Sequence, residues 1–250
     1  MDKGYVLHSY PYRETSLILQ VWTEKHGRIG MVAKGARRPK AASRTILMPF
    51  QPLVLDWFGR SELKTLKTAE PAVPATPLAA GALMSAFYLN ELLLKLTSRE
   101  DPHEALFAAY DDAITRLRAL SRAPTGASPT AVEPVLRRFE LALLQELGYA
   151  VELAREAGTH APIVAEREYL YVVERGPVPH EDGGSTPFNA VRLSGATLID
   201  LDHGRFDSAA TVAQAKHLMR LLIHHSLNGQ ELATRALVRD LQRLDPLPDP

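Results

Sequence analysis

The spacing of apolar residues along the chain changes at three prolines, Pro71, Pro74 and Pro77. Before them, short runs rich in β-branched and aromatic residues indicate strands, and no helical period occurs among these runs. After them, apolar residues recur every three or four positions, which predicts helices. A chain of 250 residues is long enough for two cores. We therefore predict a β-domain over residues 1–77 and a mainly α-helical domain over 78–250.

Five short strands are predicted before the prolines. They are Tyr5–Leu7, Ser16–Trp22, Arg28–Lys34, Pro52–Phe58 and Leu63–Lys67. The segment Gly59-Arg60-Ser61-Glu62 separates the last two strands as a hairpin turn. This pattern is typical of a small closed barrel, for which the five-stranded OB-fold is the first candidate and the SH3-like barrel an alternative. The predicted fold class is α+β, an N-terminal OB-fold β-barrel followed by helices.

The second half is predicted to hold five helices and one irregular or β insert. The helices are expected over 78–97, from Asp101-Pro102 onward, over 136–148, and near 208–226 and 230–244. Thr130 and Glu133 resemble a capping box ahead of the third helix. Residues 122–130 are interpreted as a linker, because Pro, Gly, Ser and Thr dominate there. The insert covers about 150–207, with one strand at Glu168–Glu174 and a loop at Gly183-Gly184.

The formal net charge of zero hides an uneven distribution. Residues 1–70 contain twelve Lys and Arg against six Asp and Glu, a net charge of +6, and residues 71–250 carry 17 against 23, a net charge of −6. Such asymmetry indicates a module that binds a polyanion, joined to a part with another task.

The excess positive charge is concentrated between Glu24 and Asp56, where the chain has no acid. The candidate phosphate contacts there are Lys25, Arg28, Lys34, Arg37, Arg38, Lys40 and Arg44. Cations close to a nucleic-acid strand neutralise phosphates and release counterions, although a solvated basic loop would share this composition. Tyr10 and Tyr12 flank Pro11 outside the strand pattern and are the candidates for stacking on bases. Trp22 and Trp57 are assigned to the barrel core.

Four blocks of the sequence resemble the RecO family of recombination mediators. They are YRETSLILQVWTEKHGRIGMVAKGARRPK (12–40), MPFQPLVLDWFGRSELKTLKTAE (48–70), YLNELLLKL (88–96) and LRRFELALLQELGY (136–149). Their combined order carries the resemblance, which is weak over residues 150–207. The resemblance implies a protein that binds single- and double-stranded DNA and anneals complementary strands. It further implies that, with RecR, the protein helps RecA to replace single-strand-binding protein (SSB) on DNA.

The helical half contains a candidate site for the acidic C-terminal tail of SSB, which the resemblance implies as a partner. Arg137 and Arg138 lie beside Leu136 and Phe139, and an arginine next to an apolar wall suits a peptide with acidic and aromatic residues. The alternative is an intramolecular ion pair, for example between Arg137 and Glu133.

Several chemistries are not expected. Many relatives hold zinc with four cysteines soon after the LGY segment, but this chain has no cysteine, so we expect neither zinc nor another cofactor. Phosphate-loop, zinc-protease and nucleophile-elbow motifs do not occur. Asp200, Asp202 and His203 are interpreted as a turn or helix cap rather than a metal site, and His217 and His224 as surface or partly buried residues.

Two other functions stay open at this point. One is a nucleic-acid-processing enzyme with an unusual carboxylate site in residues 181–207, and the other is a nucleoid-associated structural protein. The polar N-terminus and the lack of an apolar run of about 18 residues argue against a signal peptide and a membrane span. We expect a non-enzymatic cytoplasmic protein, which the resemblance implies to be bacterial and nucleoid-associated.

Overall fold

The structure, a computed structural model of the chain, describes residues 1–39, 41, 43–74, 76–123, 128–149, 151–180 and 186–244. The side chains of Ser43, Arg44, Val238 and 241–244 are outside this description. Part of the predicted linker, at 124–127, and the predicted loop at Gly183-Gly184 also lie outside the described residues.

The N-terminal part is a closed five-stranded barrel. Its elements are β1 (Asp2–Tyr12), β2 (Ser16–Thr23), β3 (Gly27–Ala33), the short helix α1 (Ser43–Ile46), β4 (Pro52–Phe58) and β5 (Leu63–Pro71). The strand order around the barrel is β1-β2-β3-β5-β4, with β3 and β5 parallel and the other pairs antiparallel. This arrangement, with its helix between β3 and β4, confirms the predicted OB-fold class.

The inner face of the barrel is apolar because inward residues alternate along each strand. Leu19 and Val21 of β2 pack there with Ile29 and Met31 of β3, and all four are buried. Trp57 packs against this cluster from the side. Trp22, although fully buried, follows Val21 and so faces the opposite side, the outer face of the barrel. Its assignment to the core is thus confirmed by its burial, but it packs on the outer side of the barrel wall rather than inside the barrel.

Strand β1 is longer than predicted, and Tyr10 and Tyr12 lie within it. The first half of β1 pairs with both β2 and β4, whereas the half from His8 to Tyr12 pairs only with β2. Pro11 fits here because an edge strand has no second neighbour that needs its missing N–H. The placement of both tyrosines outside the strand pattern was wrong, because ladder pairing extends β1 through polar residues.

The outer face of β1 and β2 packs against two helices, α2 (Ala80–Leu96) and α3 (Glu104–Arg122). Tyr5, opposite Trp22 in the ladder, lies edge-on to Tyr110 with ring centroids 5.1 Å apart. Tyr110 donates from its hydroxyl to Asn90 Oδ1 at 2.6 Å, and Asn90 Nδ2 donates to the carbonyl of Leu7 at 2.8 Å. This chain of hydrogen bonds satisfies polar groups that burial would otherwise leave unpaired.

Helix α3 starts at Glu104, two residues later than predicted. His103 is its N-cap residue, and Asp101-Pro102 belongs to the preceding segment. That segment lies along β3: Glu100 N donates to Arg28 O at 3.0 Å, and a Cβ on Gly27 would approach Asp101 O to 2.0 Å. The close approach of two backbones, invisible in the sequence pattern, delays the helix.

The chain forms two compact units, residues 1–127 with 232–250 and residues 128–231. The C-terminal helix α7 (Ala233–Leu244) thus belongs with the barrel, α2 and α3. The predicted domain boundary after residue 77 stays a prediction.

The second unit consists of a small sheet and helices. It contains α4 (Pro129–Glu146), β6 (Glu168–Val172), β7 (Gly176–Pro179), β8 (Ala190–Ser194), α5 (Gly195–Asp202) and α6 (Ala209–Ser226). The antiparallel sheet has the order β7-β6-β8. The strand predicted near Glu168 is present, and β7, β8 and α5 were not predicted.

Ser128 caps α4 by accepting from Ala131 N at 3.3 Å, so Thr130 is not the cap. Among the described helices, none is both long and apolar enough to cross a membrane.

The carboxylate of Glu91 on α2 holds the N-terminus of α7. It accepts hydrogen bonds from the amides of Ala233 at 2.7 Å and Thr234 at 2.9 Å, which the first turn of a helix leaves without an internal partner. Burial alone would raise the pKa of Glu91. The bonds from Thr234 and Ala233 and the charge of Lys95 outweigh burial, so the pKa is lowered.

We predict that Glu91→Gln lowers the hydrogen-exchange protection of the α7 amides about tenfold at neutral pH, because charge-assisted bonds to the helix terminus are lost. In the wild type the contribution is complete above the pKa of an unfolded Glu, about 4.3, and is lost as the pH falls through the lower folded pKa. Glu146→Gln, at an exposed position of α4, is the control. Unchanged protection in Glu91→Gln would show that apolar contacts alone hold α7.

Candidate nucleic-acid interface

Residues 34–38, here called the basic segment, follow the end of β3. Their cationic side chains extend into solvent. Ala36 is 1% exposed and anchors the segment in the barrel core. The amide of Arg37 donates to Thr15 O in the β1–β2 loop at 2.8 Å. Lys34, Arg37 and Arg38 are exposed. The segment is thus fixed through its backbone while its three charges remain accessible to phosphates.

Gly35 gives the basic segment its turn. Its φ is +71°, a left-handed conformation that glycine adopts without steric cost. The predicted contact Lys40 and the side chain of the predicted contact Arg44 lie outside the described residues.

Arg13 is a neighbour of the basic segment that the sequence analysis missed. Its exposed guanidinium lies 5.1 Å from the ring centroid of Tyr12, and its carbonyl accepts from Arg37 Nη1 at 3.4 Å. Its position between the first two strands was the available signal, because OB-folds commonly bind nucleic acid with the loop that joins these strands.

The two tyrosines selected for base stacking differ in accessibility. Tyr10 is 47% exposed and has His8 against it, with ring centroids 4.3 Å apart. Tyr12 is half-buried and also has Arg13 against its ring. Tyr10 is therefore the better placed of the two for stacking on a base.

Lys25 is exposed but lies in the turn between β2 and β3, at the other end of β3 from Lys34. Seven strand residues separate the two ends, a distance of about 20 Å at the rise of a β-strand. One phosphate group therefore cannot contact both Lys25 and the basic segment.

Arg28 is engaged within the protein. Its Nη2 donates to Thr97 O at 2.8 Å and its Nη1 to Gln20 Oε1 at 3.3 Å. Burial, followed by the nearby charge of Arg99, lowers the pKa of Arg28. Its geometry is that of a tie between β3 and the end of α2, and its predicted DNA contact stays a prediction.

The predicted peptide site in the second unit is largely inaccessible. Arg137 is 5% exposed and its Nη2 lies 2.9 Å from Oε1 of the buried Glu140. Phe139 is 1% exposed, and Leu136 is half-buried. The alternative of an intramolecular ion pair is therefore what the structure contains, with Glu140 as the partner instead of Glu133.

Arg138 is the more accessible guanidinium of the pair. It lies 5.4 Å from the ring centroid of Phe206, and its Nη2 donates to Gly204 O at 3.3 Å. The bond to Gly204 O is exposed and Arg138 is half-buried, whereas Phe206 is only 4% exposed. Arg138 can therefore contact a partner without opening a buried ion pair.

The region after the LGY segment, for which the resemblance implies a zinc site in many relatives, contains a buried carboxylate. Glu156 is 5% exposed and accepts from the hydroxyls of Thr159 at 2.8 Å and Tyr169 at 3.2 Å, and Arg167 Nη1 lies 3.8 Å away. Tyr169 in turn accepts from Val164 N at 3.0 Å. Without thiols the residues do not fit a four-cysteine zinc site, and hydrogen bonds of Glu156 connect the loop to β6.

Two of the three residues considered for a metal site, Asp200 and His203, have structural partners. Asp200 accepts from Arg205 Nε at 3.0 Å and from the Thr211 hydroxyl at 2.7 Å. His203 lies at the C-terminal end of α5 and its ring contacts Ile199 O at 2.7 Å. The described residues contain no group of three His, Asp or Glu that could hold a metal ion. Glu181 and Asp182 lie outside them.

The barrel and the basic segment together define an OB-fold protein with an accessible cationic edge, joined to a second, mixed unit. Two family models match this chain: "Recombination protein O N terminal" over residues 1–74 and "Recombination protein O C terminal" over residues 79–236. The chain belongs to the RecO family.

Similar curated proteins agree with this assignment. A DNA repair protein RecO of Aromatoleum aromaticum is 47% identical over 243 residues, which is 96% of this chain and 95% of that protein. Those of Azoarcus sp. and Nitrosospira multiformis are 46% and 47% identical, and each alignment covers at least 95% of both chains. The resemblance in the sequence analysis is thus confirmed, and family membership supports a role in DNA repair and recombination.

We predict that Arg28→Gln lowers the free energy of unfolding by about 1–3 kcal/mol, because it removes charge-assisted bonds from a half-buried position. Lys34→Gln, in the exposed basic segment, should change it by less than about 0.5 kcal/mol. Urea denaturation of both variants measures the difference. Equal and small effects would show that Arg28 is not a structural tie.

Proposed function

We propose that this protein is a recombination mediator that binds single- and double-stranded DNA and anneals complementary strands. The observation that carries the proposal is the basic segment, whose backbone is pinned to an OB barrel while Lys34, Arg37 and Arg38 remain exposed. No acidic residue occurs between Glu24 and Asp56 to neutralise these charges locally. Contacts of this kind reach the phosphates of any sequence.

Annealing needs a protein that neutralises strands without covering the base edges that pair. The three exposed cations of the basic segment supply the charge. The accessible aromatic side chain of Tyr10 has His8 against its ring, which limits its stacking on bases. Binding through phosphates leaves the pairing edges of most bases free, so a second strand can pair with the bound one.

The mediator role includes partners. We propose that the protein contacts the acidic C-terminal tail of SSB and acts with RecR to help RecA replace SSB on DNA, as the RecO resemblance implies. On the second unit, the half-buried Arg138 supplies a guanidinium held over the buried ring of Phe206, and a guanidinium suits the carboxylates of an acidic tail. Arg137, Leu136 and Phe139 support this surface from within.

Replacement of Lys34, Arg37 and Arg38 by Ala should weaken DNA binding for every sequence. The slope of log affinity against log salt should shrink by about 0.7 for each lost phosphate contact on a single strand. Fluorescence anisotropy over a salt series measures both quantities. The control removes three exposed arginines of the second unit, Arg155, Arg175 and Arg220. An unchanged slope in the first variant would place the DNA site elsewhere.

Complementary oligonucleotides mixed with the protein and Mg²⁺ should anneal faster than without it and remain intact. The same variant of the basic segment should lose this acceleration, because the neutralisation of two strands depends on the same cations. Gel analysis of end-labelled strands reports annealing and cleavage together. Cleaved products would support the nuclease alternative, and binding without annealing would support a structural role on DNA.

Arg137→Ala should destabilise the second unit by about 3–5 kcal/mol, because it leaves Glu140 buried without its ion-pair partner. Arg138→Ala should leave stability nearly unchanged and weaken binding of an SSB-tail peptide about tenfold. DNA affinity of Arg138→Ala should stay within about twofold of the wild type. If Arg138→Ala damages DNA binding and spares the peptide, the arginine belongs to a DNA-binding surface instead.

A further inference from the structure

The barrel is closed between β3 and β5 by a short ladder only. These strands pair over only three residues each, Gly30–Val32 with Leu63–Thr65. Strand β5 continues to Pro71 with β4 as its partner. In the part of the chain that the structure describes, the edge of β5 beyond Thr65 is therefore not covered by β3.

Next to this short ladder lies a cleft of about 210 Å³, which we call the β3–β5 cleft. At a liquid share of about 30 Å³ per molecule, this volume corresponds to roughly seven waters. Side chains of Ala33, Ile46, Leu47 and Leu66 give it an apolar floor. Thr68, at its edge, is exposed and brings a hydroxyl. The cleft suits one flat group with an apolar face and a polar edge.

Two lysines line the cleft, Lys34 from the basic segment and Lys67 from β5. The Nζ of Lys67 lies 3.0 Å from Asp56 Oδ2, but the lysine side chain is 63% exposed. An exposed ion pair contributes little stability, about 0–1 kcal/mol. A phosphate can therefore compete for Lys67 while Lys34, Arg37 and Arg38 hold neighbouring phosphates.

We propose that the β3–β5 cleft holds one unpaired base of a DNA single strand, with Lys34 and Lys67 on the phosphates to either side. This inference rests on the proposed DNA binding and adds a site for the base itself. An apolar floor between two cations matches a nucleotide, which carries an apolar ring face on a charged backbone. A neutral ligand would not need the cations, and inorganic phosphate would not need the floor.

The site would distinguish single strands from duplexes. In a duplex each base is stacked and paired, and extruding one costs a few kcal/mol. Contacts of the basic segment with phosphates are open to both forms. The cleft therefore adds affinity for single strands only. No aromatic side chain is among the described residues that line it, so the bound base does not stack on an aromatic ring there.

The absence of cysteine from the chain allows a direct test. In Thr68→Cys the only thiol lies at the cleft, and in the control Thr115→Cys it lies on an exposed part of α3. The probes are oligothymidylate of about 15 nucleotides, a strand of equal length that lacks all bases, and a duplex. Anisotropy first establishes that each strand saturates the protein, and thermal melting that both variants fold.

We expect oligothymidylate to slow the reaction of the Thr68→Cys variant with N-ethylmaleimide about tenfold or more and to leave that of the Thr115→Cys variant unaffected. The baseless strand, at saturation, should slow the reaction of the cleft thiol less than about twofold. A bulky maleimide adduct on the cleft thiol should weaken oligothymidylate binding about tenfold, because it blocks the site of the base. Duplex binding should weaken less than about twofold, because a duplex does not place a base in the cleft.

Equal protection by the baseless strand would mean that only the backbone crosses the cleft, and would overturn the proposal. So would DNA binding without protection of the cleft thiol, which leaves the proposed DNA-binding function intact. If an acidic peptide, added as a fourth probe, protects the thiol and oligothymidylate does not, the cleft is a peptide site and the proposal is overturned. A failure of both variants and the wild type to bind any DNA would instead remove the proposed function itself.

Discussion

The outer face of β1 and β2 must be covered, and this requirement determines how the first unit is built. Tyr5, Leu7 and Trp22 on this side of the barrel are each at most 1% exposed. Full burial of one large apolar side chain contributes about 1.5–3 kcal/mol relative to exposure, so the barrel without α2 and α3 would lose several such contributions at once. The barrel and these helices therefore depend on one another.

Polar ties fix the same contact in position. Asn90 satisfies the carbonyl of Leu7, Arg28 reaches Thr97 O, and Arg118 Nη2 donates to Phe50 O at 2.7 Å. Each connects a barrel strand or loop to a helix at a distance in sequence. Such bonds contribute modestly when formed but are costly to break when buried. The helices thus hold one side of the barrel rigid, and the basic segment lies on a part of the barrel that they leave accessible.

The strands and long helices were predictable from the sequence because their apolar period reflects local geometry. The predictions that failed concern features that depend on contacts between residues distant in sequence. These features are the extension of β1 through Tyr12 and the later start of α3, where the chain at Asp101 packs against Gly27. The same limit applied to β7, whose four residues include two prolines and a glycine. For the site, sequence located the exposed cations of the basic segment, but it did not distinguish them from Arg28 and Arg137, which have the same chemistry and are engaged in the interior.

Those arginines show why charge in a sequence overstates the charge available to a ligand. Lys34, Arg37 and Arg38 project from a turn whose backbone is anchored by the small Ala36. Arg28 lies on a strand that faces the end of α2, and Arg137 on a helix face that carries Glu140 three residues on. A guanidinium held in the interior by a carbonyl or carboxylate must break those bonds before it can bind a phosphate, whereas the bond from Arg37 to Arg13 O lies at the surface. The net charge of +6 over residues 1–70 is therefore an upper limit, and the proposed interaction with DNA depends on the few cations that are exposed.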